Sequence, residues 1–127
     1  MTLVAVLVGG LVGTGLRLGI DALLPHADDQ FPWSTLLINV AGAFALAALV
    51  ARLWPSAPTW LRAGLGAGLL GSFTTFSALA VSLVTLSQAS EWGLALTYLL
   101  ASLIAGFGAA TLGLFLGRRP EPIGPEE

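Results

Sequence analysis

The chain has 127 residues, 56% of them hydrophobic and 9% charged, with a formal net charge of −2 and a mean hydropathy of +0.89. Soluble domains carry about 25% charged residues, so this is the composition of a membrane protein. The absence of cysteine excludes disulfides and thiolate metal sites, and no basic run offers itself to nucleic acid.

Four apolar segments, each near the ~20 residues that cross ~30 Å of hydrocarbon, predict an all-α membrane protein with four transmembrane helices. They form one domain over residues 1–117. The first runs from about Thr2 to Leu24 and ends at Pro25, before the polar loop His26 to Gln30. It has no basic n-region and runs far before any polar break, so a cleavable signal peptide is not expected. Its GGLVGTGLRLGI stretch, Gly9 to Ile20, lacks both a preceding strand and a GK[ST] ending, which argues against a phosphate loop. Glycines 9, 13 and 15 are better suited to close helix approach. Arg17 either snorkels to the interface or lines an aqueous vestibule that attracts anions.

The second segment, about Trp33 to Leu53, is entered through Phe31-Pro32-Trp33 and contains Asn39. Taken alone, that carboxamide reads first as a hydrogen bond between helices and second as an N–H donor aimed at a permeating anion. The third segment begins near Pro58-Thr59, with Thr59 as the expected N-cap, and reaches about Ser87. At its centre lies GLLGSFTTFSALA, Gly68 to Ala80, which packs Ser72, Thr74, Thr75 and Ser77 between and beside Phe73 and Phe76. Glycine loosens the backbone, and hydroxyls compete for local carbonyls. The third helix is therefore expected to break near the bilayer midplane, with freed polar groups turned toward an ion. Such backbone survives at membrane depth only where protein buries it or water wets it.

The fourth segment covers about Trp92 to Leu116, and Tyr98, Ser102 and Gly106 share one of its faces at i, i+4 and i+8. The Pro-rich acidic tail at residues 118–127 is expected to be disordered. Trp33, Trp54, Trp60 and Trp92 fall at segment ends, as an interfacial belt requires. Arg52, Arg62, Arg118 and Arg119 fall on one side of the membrane; the loops of the other side carry His26, Asp28, Asp29 and Glu91 but no lysine or arginine. Both termini are accordingly expected in the cytoplasm. No carboxylate lies at mid-depth in any span, which argues against proton-coupled transport and against acid–base catalysis, so the chain is not expected to be an enzyme. His26 with Asp28 and Asp29 reads as a solvated turn in preference to a metal site.

GGLVGTGLR (Gly9 to Arg17), PWSTLLINVAGAF (Pro32 to Phe44) and GSFTTFS (Gly71 to Ser77) together resemble the Fluc/CrcB fluoride channels, and the resemblance runs through all four spans. It implies a passive fluoride channel of the cell membrane that exports the ion down its gradient. It further implies an antiparallel dimer with two pores and a central structural sodium ion. By position, Gly71 and Thr74 match the sodium-binding pair. Asn39 matches the pore asparagine, Phe76 the first ring of the phenylalanine box, Tyr98 and Ser102 the polar track (which Ser77 is expected to join), and Arg17 the vestibule arginine. Two positions depart from the pattern: Leu79 stands where the second box phenylalanine is usual, and Gly106 where a track hydroxyl is usual. These departures leave open a structural partner subunit without a pore of its own. A small multidrug-type exporter is a third reading, opposed by the missing intramembrane glutamate.

Overall fold

The computed structural model describes residues 1–121. It contains four helical spans long and apolar enough to cross a membrane: Thr2–Leu23, Trp33–Arg52, Thr59–Gln88 and Trp92–Gly117. There is no strand among the described residues. The first two spans are α1 (Thr2–Leu23) and α2 (Trp33–Arg52). The third divides into α3 (Thr59–Ala63), a π-helical stretch (Gly64–Leu70), α4 (Gly71–Phe73) and α5 (Phe76–Gln88), and the last span is α6 (Trp92–Gly117). Each end lies within a residue of its expected place. The tail expectation falls, from residue 122 onward, outside the described residues.

One boundary is corrected. The cap position of α3 is Pro58, with φ −67° and ψ 157°, and no side chain caps the helix. The pyrrolidine ring already fixes φ near the helical value, so the chain turns in one residue early and Thr59 becomes the first helical residue.

The spans associate in two tight pairs, and glycine makes both possible. Alpha-carbon hydrogens of α1 lie against the π-helical stretch. A Cβ on Gly9 would run into the Gly64 carbonyl and one on Gly13 into the Leu69 carbonyl, while one on Gly68 would lie 2.7 Å from the Val6 oxygen. In the second pair α6 lies on α2. A Cβ on Gly113 would meet the Phe44 carbonyl, and one on Gly117 would stand 2.7 Å from the Ala48 oxygen. Lipid tails are as apolar as leucine, so helices in a bilayer associate mainly through such close van der Waals contact. Gly13→Val should therefore cost about 1–3 kcal/mol of overpacking and lower the unfolding temperature in detergent. Gly15→Ala is the control, since nothing lies within 4 Å of its added carbon. Equal stability of the two variants would show that α1 does not depend on this contact.

The interior is thin. Leu36, Leu86, Ala95 and Tyr98 form one buried cluster, and Ile38, Leu70 and Phe73 form another. Large apolar side chains such as Leu3, Leu11, Ile104 and Phe107 are exposed along the outside, as lipid contact requires. The Arg119 guanidinium donates to the Ser56 hydroxyl at 3.0 Å. This brings the end of α6 beside the α2–α3 connection and gathers the four arginines at one end.

Candidate functional site

The helix stops at Phe73 because two residues turn extended: Thr74 has ψ 152°, and Thr75 has φ −148° and ψ 116°. Their hydroxyls close the two helix ends so formed. Thr74 Oγ1 donates to the Leu70 carbonyl at 2.9 Å, and Thr75 Oγ1 accepts from the Ala78 N–H at 3.1 Å. The peptide groups of Thr75 are held from another span. Its N–H donates to Asn39 Oδ1 at 2.8 Å, and its carbonyl accepts from Asn39 Nδ2 at 3.0 Å. A carboxamide offers donor and acceptor side by side, as a peptide does, so a single side chain replaces both lost helical partners. An unbroken helix would have paired the Thr75 N–H with the Gly71 carbonyl, and that carbonyl is thereby released from the ladder. Gly42 lets α2 come this close, since a Cβ there would run into Thr74 Cγ2.

Around the break lies a cavity of about 420 Å³ lined by Asn39, Gly42, Gly71, Thr74, Thr75, Phe76 and Leu79, among others. The structure thus brings together four of the residues singled out in the sequence: Asn39, Gly71, Thr74 and Phe76. Phe76 begins α5 and is 81% exposed. Ser77 is exposed as well, its Oγ 3.1 Å from Thr75 Oγ1. The first amides of α5 lack helical acceptors and place the positive end of that helix at mid-span.

Tyr98 and Ser102 belong to a second place. Tyr98 is fully buried, and Phe31 meets its ring edge-on with centroids 5.6 Å apart. Thr35, Ser82 and Ser102 neighbour its hydroxyl, yet the hydroxyls of Tyr98, Ser102 and Ser34 are buried without a hydrogen-bond partner. Other membrane hydroxyls bond back to their own helix: Thr97 to the Gly93 carbonyl at 2.8 Å, Thr111 to Phe107 at 2.9 Å, Ser87 to Leu83 at 2.6 Å. Ser102 does not, although its i−4 carbonyl is within the same helix. Unpaired buried hydroxyls cost about 1–3 kcal/mol each, so the cluster is suited to a polar guest or to water. Ser34, Thr35 and Ser82 also line a cavity of about 350 Å³ that reaches Asp21 and His26.

These last three serine and threonine residues are absent from the sequence-based set. A signal existed for one of them, since Thr35 precedes Asn39 by one helical turn and shares its face. Arg17 is half-buried on α1, a turn before Asp21, and lines neither cavity. His26, Asp28 and Asp29 form no metal-ligand group among the described residues. Within one chain, the cavity at the break and the hydroxyl cluster are separate.

A family model described as "CrcB-like protein, Camphor Resistance (CrcB)" matches residues 4–114, which takes in the break, the Asn39 clamp and the Tyr98 cluster. The chain belongs to the CrcB-like family. Among CrcB-like relatives, "Fluoride-specific ion channel FluC 1" of Mycolicibacterium paratuberculosis is 38% identical over 119 residues, 92% of this chain and 90% of its own. "Fluoride-specific ion channel FluC" of Paracoccus denitrificans is 38% identical over 117 residues, covering 92% and 94%. "Fluoride-specific ion channel FluC 1" of Bacillus anthracis is 41% identical over 117 residues, covering 90% and 82%. All three names describe an ion channel, which moves its substrate without transforming it.

Proposed function

We propose that this CrcB-like chain is a subunit of a passive, fluoride-selective channel that exports fluoride across the cell membrane down its gradient. The observation that carries the reading is the clamped break at Thr74–Thr75, in a chain whose relatives over nine-tenths of its length are named as fluoride-specific channels. Fluoride is small and strongly hydrated, so a pore must replace its water with closely set donors. The free Nδ2 hydrogen of Asn39, the hydroxyls of Ser77, Tyr98 and Ser102, and the positive ring edge of Phe76 are such donors. Arg17 draws anions toward the vestibule.

The working unit in this reading is an antiparallel dimer. The exposed Phe76 ring and the separation of the break from the hydroxyl cluster support it, because a single chain leaves the polar groups on two unconnected cavities. A partner lying over the break would join them. Gly71 and Thr74 would hold a structural sodium ion through backbone carbonyls. The donor set fits: these are hard oxygens, and one has been freed by the Asn39 clamp. When bound, the ion adds a fixed positive charge in a medium of low dielectric. Both termini are assigned to the cytoplasm.

A second reading, a structural subunit whose partner does the conducting, is favoured by Leu79, which lines the cavity at the break in place of an aromatic ring. The deciding experiment is fluoride efflux from liposomes, followed with a fluoride electrode, for the chain alone and with a homologous partner, beside chloride efflux. Fluoride-selective efflux that Phe76→Ile removes supports a conducting subunit; efflux indifferent to Phe76→Ile supports the structural one; no fluoride efflux in any combination rejects both.

Gly71→Val tests the sodium assignment. Within the chain an added Cβ would meet only the Gly66 oxygen, at 3.5 Å, an ordinary contact, and an unchanged unfolding temperature would show that the fold is kept. Flux should nevertheless fall at least tenfold, and replacing sodium by a bulky organic cation on both sides should act alike. Flux insensitive to both changes would mark the break as a plain kink.

A further inference from the structure

At the arginine-rich end, a cavity of about 650 Å³ lies between the α2–α3 connection and the start of the third span. One part of its lining is polar, with Trp54, Thr59 and Arg62; the other is apolar, with Leu46, Ala63 and Gly66. The polar part consists of donors. Trp54 Nε1 is buried and has no acceptor within the chain. Thr59 has a hydroxyl, Arg62 carries a permanent guanidinium, and no acidic residue occurs from Arg52 through Ala63. The guanidinium can only donate and is permanently charged, so the group that suits this wall is an anionic acceptor.

The apolar part decides which anion. Leu46 and Gly66 also line the cavity at the break, so the two cavities adjoin along the membrane-embedded surface. A small free anion would use the polar wall and leave the apolar one bare. A molecule with an anionic head and a hydrocarbon tail uses both. Depth agrees, since Trp54 and Trp60 flank the site at the helix ends, where aromatic residues mark the headgroup layer. Basic pockets between spans at that level suit anionic headgroups. The Trp54 ring is laid against Gly66, whose added Cβ would lie 2.9 Å from Cζ2, so the indole is braced by the backbone of the third span.

We propose that this cavity is a binding site for an anionic glycerophospholipid. Its phosphate lies against Arg62 and Thr59, and an acyl chain runs along Leu46, Ala63 and Gly66. None of these residues is given a role in the fluoride reading, and the test does not use flux.

Protein drawn from liposomes of mixed phosphatidylglycerol and phosphatidylcholine into mild detergent would be examined by native mass spectrometry. Wild type should keep phosphatidylglycerol in preference to phosphatidylcholine. Arg62→Gln should retain about fivefold less of it, the effect of one arginine near an anionic headgroup, and Arg62→Lys should retain most. Arg52→Gln removes a charge at the same end that does not line the cavity and should leave retention unchanged. Should Arg62→Gln fail to fold, Thr59→Val removes the other donor at nearly constant shape and should also lower phosphatidylglycerol retention. Equal retention of the two lipids by wild type, or equal loss in Arg52→Gln and Arg62→Gln, overturns the proposal. So does thermal stabilisation of the wild type by inorganic phosphate equal to that by phosphatidylglycerol, since that result points to a free anion.

Discussion

Asn39→Asp is expected to remove fluoride flux altogether at neutral pH while the four helices still assemble. The substitution keeps size and shape but changes what Thr75 meets. Asn39 Oδ1 accepts the Thr75 N–H, and that bond survives; Asn39 Nδ2 donates to the Thr75 carbonyl, and a carboxylate oxygen in its place has no proton to give. Two oxygens then face each other, leaving a part-buried acceptor unpaired at a cost of about 1–3 kcal/mol. A charge held at mid-span costs about 2.5–3.5 kcal/mol more. Neither helix pair depends on Asn39, since α1 rests on the π-helical stretch and α2 on α6 through glycine contacts made elsewhere, so the loss should be local to the break. Acidification separates the lost hydrogen bond from simple anion repulsion. A protonated carboxyl has one O–H and one C=O and can rebuild both bonds to Thr75, so acidification should restore part of the stability of Asn39→Asp. Asn39→Ala lacks both groups and should show no such recovery. Unfolding temperature and liposome efflux across pH measure the two quantities. Wild-type flux in Asn39→Asp would remove Asn39 from the pore.

The four spans were legible because hydropathy and proline mark them independently: Pro25, Pro32 and Pro58 stand at ends that the apolar runs also give. The break was legible for a different reason, the density of hydroxyls among glycines and phenylalanines, which no lipid-facing helix needs. Its detail was not. Glycine loosens a backbone, but no local signal says that Gly64–Leu70 winds as π, against which α1 packs from a distant stretch of chain. The pairing of Asn39 with Thr75 spans 36 residues and has no local signature; composition offered interhelical glue or a pore donor, and the geometry shows the first in a specific form. Tyr98 and Ser102 were found by their spacing on α6. Ser34, Thr35 and Ser82 carry no such signal, since serine and threonine in membrane helices ordinarily bond back to their own turn. Only the structure shows which hydroxyls do so and which are left unpaired.

The separation of the break from the hydroxyl cluster bears on assembly. Phe76 lines the cavity at the break but is largely exposed, and Leu79 and Gly106 supply neither a ring nor a hydroxyl. Nothing lies within 4 Å of a Cβ added at Gly106, so the fold would accept a serine there, and its absence reflects no steric demand of this chain. In the dimeric reading, these positions weaken one pore and leave the other to Phe76 and Ser102.

Cysteine placed at Asp28 should be labelled from outside intact cells, and cysteine placed at Ser56 should not. The native chain has no cysteine, so each probe reports alone. Arg52, Arg62, Arg118 and Arg119 gather at the end where Arg119 meets Ser56, while the loops of the other end carry no basic residue. Retention of arginine on the cytoplasmic side orients membrane proteins, and Arg17, half-buried within α1, is too far inside a span to balance four. An antiparallel homodimer needs the same chain inserted both ways in similar amounts. A chain held in one orientation cannot supply that, and we infer an obligate heterodimer with a homologous chain inserted the opposite way. The expected result is labelling at position 28 alone, no fluoride flux from the chain reconstituted by itself, and flux on adding the homologous chain. Equal labelling at 28 and 56, or fluoride-selective flux from the purified chain without a partner, would establish the dual-topology homodimer instead.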